Sequence, residues 1–354
     1  MDMIPLGIPV PRDLSAGRPD VGGLVDRFGR VATDLRVSVT DRCNLRCTYC
    51  MPAEGLDWMP EDELLSTAEM SRLIGIAVAH LGIEEIRFTG GEPLLFHGLE
   101  ELIGGAAELL PRPQISLTTN AIGLERRAKA LAAAGLDRVN ISLDTVDRAT
   151  FASMTRRDRL PAVLAGIDAC HAAGIGPIKV NAVLMRGVND GGACDLLRYC
   201  IGHDIELRFI EQMPIDSDNA WAAQEMMTAE EILAALRSEF TLRPASEPRG
   251  SAPAELWTVD DSRHRVGVIA SVTRPFCGDC DRVRLTADGS VRSCLFGAEE
   301  FDLRGLLRSA DPEDAVDLAI AQRWREALWR KQPGHGINDP GFLHPTRPMS
   351  AIGG

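Results

Sequence analysis

The chain has 354 residues, 45% of them hydrophobic, which predicts a folded protein with two domains or one α/β barrel with an extension. The formal net charge is −13, so nucleic acid and anionic membranes are repelled overall, and an anionic substrate requires a local group of arginines. Aromatic residues make up only 5% of the chain, which argues against a stacking surface for single-stranded nucleic acid.

The ends of the chain and its cysteines predict a cytoplasmic location. Residues 1–31 are rich in Pro, Gly and Asp, so we expect a mobile leader, and they lack the basic and apolar regions of a signal peptide. No run of 18 apolar residues predicts a membrane span. Nine cysteines, six of them in two compact groups, indicate a reducing compartment in which thiols bind metal.

Strand and helix patterns alternate through the first two thirds of the chain. Six strands are predicted, over 34–39, 84–91, 114–120, 138–144, 177–185 and 205–213. A helical pattern follows each strand, and the first begins with a Ser66–Glu69 capping box. This alternation predicts parallel strands and an incomplete (β/α)6 TIM-like barrel over 32–240. A doubly wound sheet is the alternative, although no GxGxxG motif follows the first strand.

The pattern changes after residue 240, where a Pro/Gly/Ser-rich segment begins. Antiparallel strands are predicted within 255–261, 264–272 and 282–295, with a hairpin turn at 287–290. Helices are predicted over 302–310 and 313–330. We therefore expect a C-terminal α+β domain over 241–354 that ends in a non-helical tail.

Three cysteines lie in the segment CNLRCTYC, directly after the first predicted strand: Cys43, Cys47 and Cys50. Thiolates are soft ligands that suit zinc or iron–sulfur clusters, and structural zinc sites use four ligands. Three thiolates on a cubane cluster leave one iron open to a small molecule. The spacing favours a reactive iron–sulfur cluster over a zinc site with a distant fourth ligand.

A second group of three cysteines lies in the predicted C-terminal domain: Cys277, Cys280 and Cys294. A zinc site that uses His264 as its fourth ligand is the alternative interpretation. Because each group supplies only three cysteine ligands, each cluster would have one open iron. The open iron of one cluster could then bind a cofactor and that of the other a substrate.

Glycines and cationic residues at strand ends suggest a ligand site. In TGGEPL, Gly90 and Gly91 allow the backbone to approach a ligand, and Glu92 is suited to pair with an ammonium group. Alternation places Arg282 and Arg284 on one face of a strand. Two adjacent guanidinium groups are suited to bind a polyphosphate, and the alternative is that both are solvated at the surface. Further cationic residues lie in or near other strands: Arg36, Arg87, Lys179 and Arg208.

These motifs together resemble those of the radical S-adenosylmethionine (SAM) superfamily. CxxxCxxC after the first strand and GGEP after the second carry the resemblance to the superfamily. Within the superfamily, the chain resembles the two-cluster family that cyclises GTP in molybdenum cofactor biosynthesis. This closer resemblance rests on the CxxC-x13-C group, the arginines of DRVRL and the terminal Gly353–Gly354 pair. The match runs from about Asp34 to Gly354.

The resemblance implies roles for individual residues. It assigns one [4Fe–4S] cluster to Cys43, Cys47 and Cys50 and a second to Cys277, Cys280 and Cys294. The positions that match SAM contacts are Tyr49, Gly90, Gly91, Glu92, Ser142 and Met213. Those that match GTP contacts are Arg36, Arg87, Thr118, Lys179, Arg282 and Arg284. Gly353 and Gly354 match a tail that reaches the active site, and Arg282 and Arg284 are also expected to act in catalysis.

The implied reaction is the conversion of GTP to 3′,8-cyclo-7,8-dihydro-GTP. A 5′-deoxyadenosyl radical derived from SAM removes hydrogen from C3′, and the resulting radical attacks C8 of the base. One further electron and one proton then give the dihydro product. The implied partners are a flavodoxin- or ferredoxin-type electron donor and cyclic pyranopterin monophosphate synthase as the next enzyme, with a second copy of the chain, in a homodimer, as a further candidate. Glu85 stands where some relatives have a basic residue, and Ala121 stands where the family usually has Gly.

Three other interpretations remain open. One is a two-cluster radical SAM enzyme that modifies peptides, although such enzymes carry more cysteines in their C-terminal extension. Another is a scaffold protein stabilised by zinc. The third is a paralogue without activity, against which all six ligand cysteines argue.

Overall fold

The computed structural model describes residues 17–215, 221–340, 342, 344–345 and 347–353. The strands within these residues are β1 Asp34–Ser38, β2 Glu85–Thr89, β3 Gln114–Thr119, β4 Arg138–Ser142, β5 Ile178–Leu184, β6 Glu206–Glu211, β7 Leu242–Pro244, β8 Glu255–Val259, β9 Arg265–Ile269, β10 Arg282–Leu285, β11 Ser290–Arg292 and β12 Phe301–Asp302. The helices are α1 Thr67–Leu81, α2 Leu99–Ala107, α3 Leu124–Ala134, α4 Arg148–Thr155, α5 Leu160–Ala173, α6 Ala193–Gly202, α7 Ala229–Arg237, α8 Arg304–Leu307, α9 Glu313–Trp329 and α10 Met349–Ile352.

Strands β1 to β6 lie side by side in chain order, and each pairs in parallel with the next. A doubly wound sheet would reverse its order at a switch point, so this topology excludes that alternative. The sheet is open, because β12 and β7 lie at its two edges. The prediction of an incomplete (β/α)6 barrel is confirmed.

Strands from the C-terminal part of the chain continue the sheet on both sides. β10 pairs in parallel with β1, and β9 pairs in parallel with β6. The sequence predicts only their antiparallel pairings, β9 with β8 and β10 with β11, and the structure contains these too. The parallel pairings satisfy the backbone groups that the outer barrel strands would otherwise leave unpaired. The division at residues 240 and 241 stays a prediction.

Alternation along the strands separates an apolar layer from a polar interior. Alternate residues pack under the helices and are buried: Leu35, Val37, Ile86, Phe88, Leu117, Val139, Ile141, Val180, Leu207 and Phe209. The residues between them include Arg36, Arg87, Thr118, Asn181 and Arg208, which line a cavity. The barrel strands therefore present polar side chains inward.

Helix α1 is the first barrel helix and begins at the predicted capping box of Ser66 and Glu69. Its buried residues, which include Leu73, Ile74 and Leu81, belong to the core. Glu61–Leu81 is the one helical stretch in the described part of the chain that is long and apolar enough to cross a membrane. Core helices pass the same test, and the burial of α1 fits that explanation.

The residues that precede β1 fold back on the barrel. Leu24 is fully buried, and its carbonyl accepts a hydrogen bond from the Ala32 amide at 2.8 Å. The buried Asp26 carboxylate accepts hydrogen bonds from the amides of Phe28 and Arg30. Part of the predicted leader therefore packs on the domain, while its residues 1–16 lie outside the described residues.

Candidate active site

Two adjoining cavities contain most of the predicted site residues. The larger has a volume of about 260 Å³ and the smaller about 140 Å³. They share part of their lining: Tyr49, Thr118, Ser142, Asp144 and Met349. Cys43, Cys47 and Cys50 line the smaller cavity, and Cys277, Cys280 and Cys294 line the larger one. The fold thus brings two distant cysteine groups to one site.

The loop of the first cysteine group follows β1 and packs on α4. The amides of Arg46 and Thr48 donate to the carbonyls of Thr155 and Met154 at 3.0 and 2.9 Å. Burial raises the pKa of Cys43 to about 11 and that of Cys50 to about 12. A bound metal would displace these thiol protons. Three free thiols around one cavity fit an iron–sulfur cluster that keeps one iron open.

Gly90 and Gly91 of the GGEP segment, predicted to let the backbone approach a ligand, pack against the backbone of the first cysteine loop. A Cβ atom on Gly90 would lie 2.3 Å from the Thr40 carbonyl oxygen, and one on Gly91 would lie 2.3 Å from that of Arg42. The Gly91 amide donates to the Thr40 carbonyl at 2.8 Å. Both glycines also line the smaller cavity. Close contact between the two loops gives a physical reason for these glycines that the sequence does not reveal.

Glu92 joins the GGEP segment to the end of β3. Its carboxylate accepts hydrogen bonds from the Thr119 hydroxyl at 2.6 Å and from the amides of Asn120 and Leu94 at 2.7 and 2.9 Å. Burial raises its pKa to about 7, although these hydrogen bonds oppose that effect. Glu92 therefore holds two loops together, in addition to lining the smaller cavity.

Three further predicted SAM-contacting residues lie around the junction of the cavities. Tyr49 and Ser142 line both cavities, and Met213 lines the larger one. The Tyr49 hydroxyl donates to Asp144 at 2.8 Å, and burial raises the pKa of Asp144 to about 6. The sequence places Asp144 in a strand of alternating polar residues but does not reveal its contact with Tyr49.

Five arginines line the larger cavity: Arg36, Arg87, Arg208, Arg282 and Arg284. Asp34 lies 3.8 Å from Arg36 and 3.7 Å from Arg87. Burial, followed by repulsion from neighbouring guanidinium groups, lowers the pKa of Arg36 and that of Arg284 to about 9. Within the described part of the chain, the buried Nε atoms of Arg36 and Arg87 have no hydrogen-bond partner. This excess of buried cationic groups is suited to a polyanion.

Thr118 and Lys179 complete the predicted GTP-contacting set. Thr118 lines both cavities, whereas Lys179 is absent from the described lining of either one. Lys179 lies 3.7 Å from Glu206, and burial, together with repulsion from Arg208, lowers its pKa to about 8. The structure therefore places Lys179 beside the cavity rather than on its surface.

Two cationic side chains contact one sulfur of the second cysteine group. Arg282 Nε donates to Cys280 Sγ at 3.4 Å, and Lys331 Nζ donates to the same sulfur at 3.3 Å. Burial alone would raise the pKa of Cys280, but Arg282 and Lys331 outweigh it and lower that pKa to about 7. Three free thiols with such donors fit a second iron–sulfur cluster. Sequence reasoning missed Lys331, because nothing near it marks a site.

The zinc interpretation with His264 has no support in the geometry. His264 lies 3.9 Å from Asp204, and it does not belong to the described lining of either cavity. Among the described residues, no three His, Cys, Asp or Glu side chains are arranged to hold a single metal ion.

The C-terminal tail packs against the paired ends of β1 and β2, next to Ser38 and Thr89. Arg284 donates to the Gly353 carbonyl and, at 3.4 Å, to the Ile352 carbonyl. Gly353 has φ +72°, and a Cβ atom there would lie 2.4 Å from Ser38 Oγ. Gly354 lies outside the described residues. The tail therefore reaches the arginine group that lines the larger cavity.

A partial barrel with CxxxCxxC after its first strand and GGEP after its second defines a radical SAM enzyme. The Radical SAM superfamily model matches residues 37–200, and the Molybdenum Cofactor Synthesis C model matches residues 205–337. The enzyme class therefore requires SAM and an iron–sulfur cluster.

Curated relatives narrow the class. The chain is 59% identical to GTP 3′,8-cyclase of Mycobacterium sp. (strain KMS) over 354 residues, which is 100% of both chains. It is 57% identical over 364 aligned residues to GTP 3′,8-cyclase of Mycobacterium marinum (strain ATCC BAA-535 / M), and equally to GTP 3′,8-cyclase 2 of Mycobacterium tuberculosis (strain ATCC 25618 / H37Rv), again across 100% of each chain. The chain belongs to the GTP 3′,8-cyclase family.

A solved structure shares the fold. Streptococcus suis SuiB bound to S-adenosylmethionine superposes with a TM-score of 0.55 at 14% identity, covering 87% of this chain and 68% of SuiB. At this level of identity the likeness concerns the architecture.

Proposed function

We propose that this chain converts GTP to 3′,8-cyclo-7,8-dihydro-GTP, the first step of molybdenum cofactor biosynthesis. One observation carries the proposal: two groups of three free thiols line adjoining cavities, and five arginines line the larger of them. One cysteine group would hold the cluster that binds SAM, and the other would hold a cluster next to the substrate. The arginines would bind the triphosphate of that substrate. Membership of the GTP 3′,8-cyclase family supports this assignment.

In this proposal the smaller cavity binds SAM. Cys43, Cys47 and Cys50 would hold the first [4Fe–4S] cluster, and the chemistry that the cluster would supply is reductive cleavage of SAM. The residues proposed to contact SAM are Tyr49, Gly90, Gly91, Glu92, Ser142 and Met213. Both glycines lie within a loop fixed to the first cysteine loop, so the SAM site and the cluster site are held in one geometry.

The larger cavity binds GTP. The residues proposed to hold the nucleotide are Arg36, Arg87, Thr118, Lys179, Arg282 and Arg284. Cys277, Cys280 and Cys294 would hold the second [4Fe–4S] cluster in the same cavity. The buried arginines would bind the triphosphate and so orient the nucleotide relative to the adjoining SAM cavity. Enclosure by the barrel excludes water from the radical steps.

The tail closes the site. Gly353 packs against the side chains of Ser38 and Thr89, and its carbonyl accepts a hydrogen bond from Arg284. We include Gly353, Gly354, Arg282 and Arg284 in the catalytic machinery, because tail position and triphosphate position depend on the same guanidinium group.

The partners follow from the reaction. One-electron reduction requires a donor of the flavodoxin or ferredoxin type, and the product is handed to cyclic pyranopterin monophosphate synthase. A homodimer and a cytoplasmic location complete the proposal, with neither nucleic acid nor a membrane as a partner.

The test is an anaerobic incubation with GTP, SAM and dithionite, followed by mass analysis of 5′-deoxyadenosine and of the cyclised nucleotide. We expect both products to form together. 5′-Deoxyadenosine without cyclised nucleotide, in protein that carries both clusters, would reject GTP as the substrate and favour a radical SAM enzyme with another one.

A further inference from the structure

Lys331 is a buried lysine that points at the second cysteine group. It follows α9, and only 3% of its surface is exposed. Its ammonium group donates to Cys280 Sγ at 3.3 Å, to the Cys280 carbonyl at 3.2 Å and to the Arg282 carbonyl at 2.8 Å. All three acceptors belong to the segment that carries Cys280.

The charge of Lys331 lacks a carboxylate partner among the residues that the structure describes. Its polar contacts there are two carbonyl oxygens and one sulfur. The other two lysines differ, because Lys179 lies 3.7 Å from Glu206 and Lys129 is exposed on α3. Burying an ammonium group without an anion costs several kcal/mol. The sulfur of Cys280, once deprotonated as a metal ligand, is the anion within reach.

Arg30 connects the residues that follow Lys331 to the same cysteine loop. Arg30 donates to the Gln332 carbonyl at 2.6 Å, to the Pro333 carbonyl at 3.1 Å and to the Cys277 carbonyl at 2.6 Å. Arg30 therefore ties the segment that follows Lys331 to the loop that carries Cys277.

We propose that Lys331 is a positioning residue of the second cluster, whose ammonium group, beside the guanidinium group of Arg282, is a buried counter-charge of the Cys280 thiolate and raises the reduction potential of that cluster. The inference rests on the proposed two-cluster function. A cationic donor on a cluster sulfur stabilises the reduced state, which carries one more negative charge. Losing the cation therefore shifts the potential to more negative values, and losing the hydrogen bond loosens the loop.

The test isolates the second cluster in the full-length chain. Cys43→Ala, Cys47→Ala and Cys50→Ala together remove the ligands of the first cluster, and Lys331→Met, Lys331→Gln and Lys331→Arg are added to that background. Iron and sulfide content measures cluster loading, and a dithionite titration followed by electron paramagnetic resonance measures the potential. Lys129→Met is the matched control for loss of a lysine.

We expect Lys331→Met and Lys331→Gln to reduce at more negative potential than the parent, while Lys331→Arg and Lys129→Met reduce near the parent value. If Lys331→Met and Lys331→Gln fail to load a cluster, the result for Lys331→Arg decides. A loaded cluster in Lys331→Arg supports the counter-charge role, and an unloaded one overturns that role. An unchanged potential in loaded Lys331→Met overturns that role and leaves the cluster assignment standing. A parent background without an iron–sulfur spectrum overturns the cluster assignment, and this inference with it.

Discussion

Replacement of Gly353 by alanine should expel the C-terminal tail from the site. The added Cβ would lie 2.4 Å from Ser38 Oγ and 2.8 Å from Thr89 Cγ2, and both side chains are buried at strand ends. Both contacts are made by side-chain atoms, so relieving the clash requires Ser38 and Thr89 to change rotamer inside a buried site. The positive φ of +72° adds backbone strain, because a left-handed conformation costs a residue with a Cβ about 1–2 kcal/mol.

The free energy of tail docking is of the same order as this penalty. Ile352 is 1% exposed, and burying one isoleucine side chain contributes about 1.5–3 kcal/mol. Hydrogen bonds from a charged group such as Arg284 add roughly 1.5–3 kcal/mol, and ordering the tail opposes both terms. Strain of about 1–2 kcal/mol alone lowers the equilibrium constant for docking by a factor of roughly 5–30, and the clash lowers it further. We therefore expect GTP cyclisation to fall at least about tenfold.

Hydrogen–deuterium exchange of residues 349–353 measures docking, and mass analysis of the cyclised nucleotide measures turnover. Gly174→Ala is the matched control, because Gly174 has φ +73° but a Cβ atom added there would meet no heavy atom within 4 Å. It should lose about 1–2 kcal/mol of unfolding free energy from the same backbone strain and keep turnover. Unchanged protection and turnover in Gly353→Ala would refute the reasoning, and so would an equal loss of turnover in Gly174→Ala.

Three further predictions concern the cavities. Cys294→Ala should leave reductive cleavage of SAM measurable while cyclisation collapses, and cyclised product at the wild-type rate would contradict the two-cluster assignment. Arg282→Ala should weaken GTP binding at least about tenfold and SAM binding far less, because a charge-assisted hydrogen bond contributes roughly 1.5–3 kcal/mol; equal losses would reject a triphosphate role. GTP affinity should fall as pH rises, because the pKa of Lys179 is lowered to about 8 and a bound polyanion holds the proton that this lysine otherwise loses. Calorimetry at about pH 8.5 in two buffers of different ionisation enthalpy should show proton uptake on binding, and zero uptake would contradict this linkage.

The barrel was predictable because its pattern is local. Apolar residues at every second position predict each strand, and residues of this apolar face, such as Leu35 and Phe88, are buried. The parallel pairing of β9 with β6 and of β10 with β1 was not predictable, since a strand's own residues do not specify which distant edge it covers.

The candidate site was predictable where the spacing of residues along the sequence indicates their chemistry. It was not predictable where a residue's role depends on how distant segments pack. The cysteine groups and Arg282 could be named from the sequence. The contact of Gly90 and Gly91 with residues 40–42 could not, because it depends on how two loops meet. Lys331 gives no signal at all, since a single lysine after a helix usually lies in solvent.

The charge balance inside the barrel accounts for the apparent conflict between an acidic chain and an anionic substrate. Asp34 interacts electrostatically with four guanidinium groups, those of Arg36, Arg87, Arg282 and Arg284, which leaves this group with a net charge of +3. The single negative charge of Asp34 thus does not balance the four positive charges around it. One of its carboxylate oxygens, Oδ1, also has no hydrogen-bond partner in the described part of the chain. A monophosphate would compensate about two of these charges, whereas a triphosphate carries enough charge to compensate them all. Because the group is buried, its attraction for a polyanion is screened much less by salt than that of surface arginines. The overall charge of −13 therefore governs the outer surface, while the interior retains a cationic excess matched to a polyphosphate.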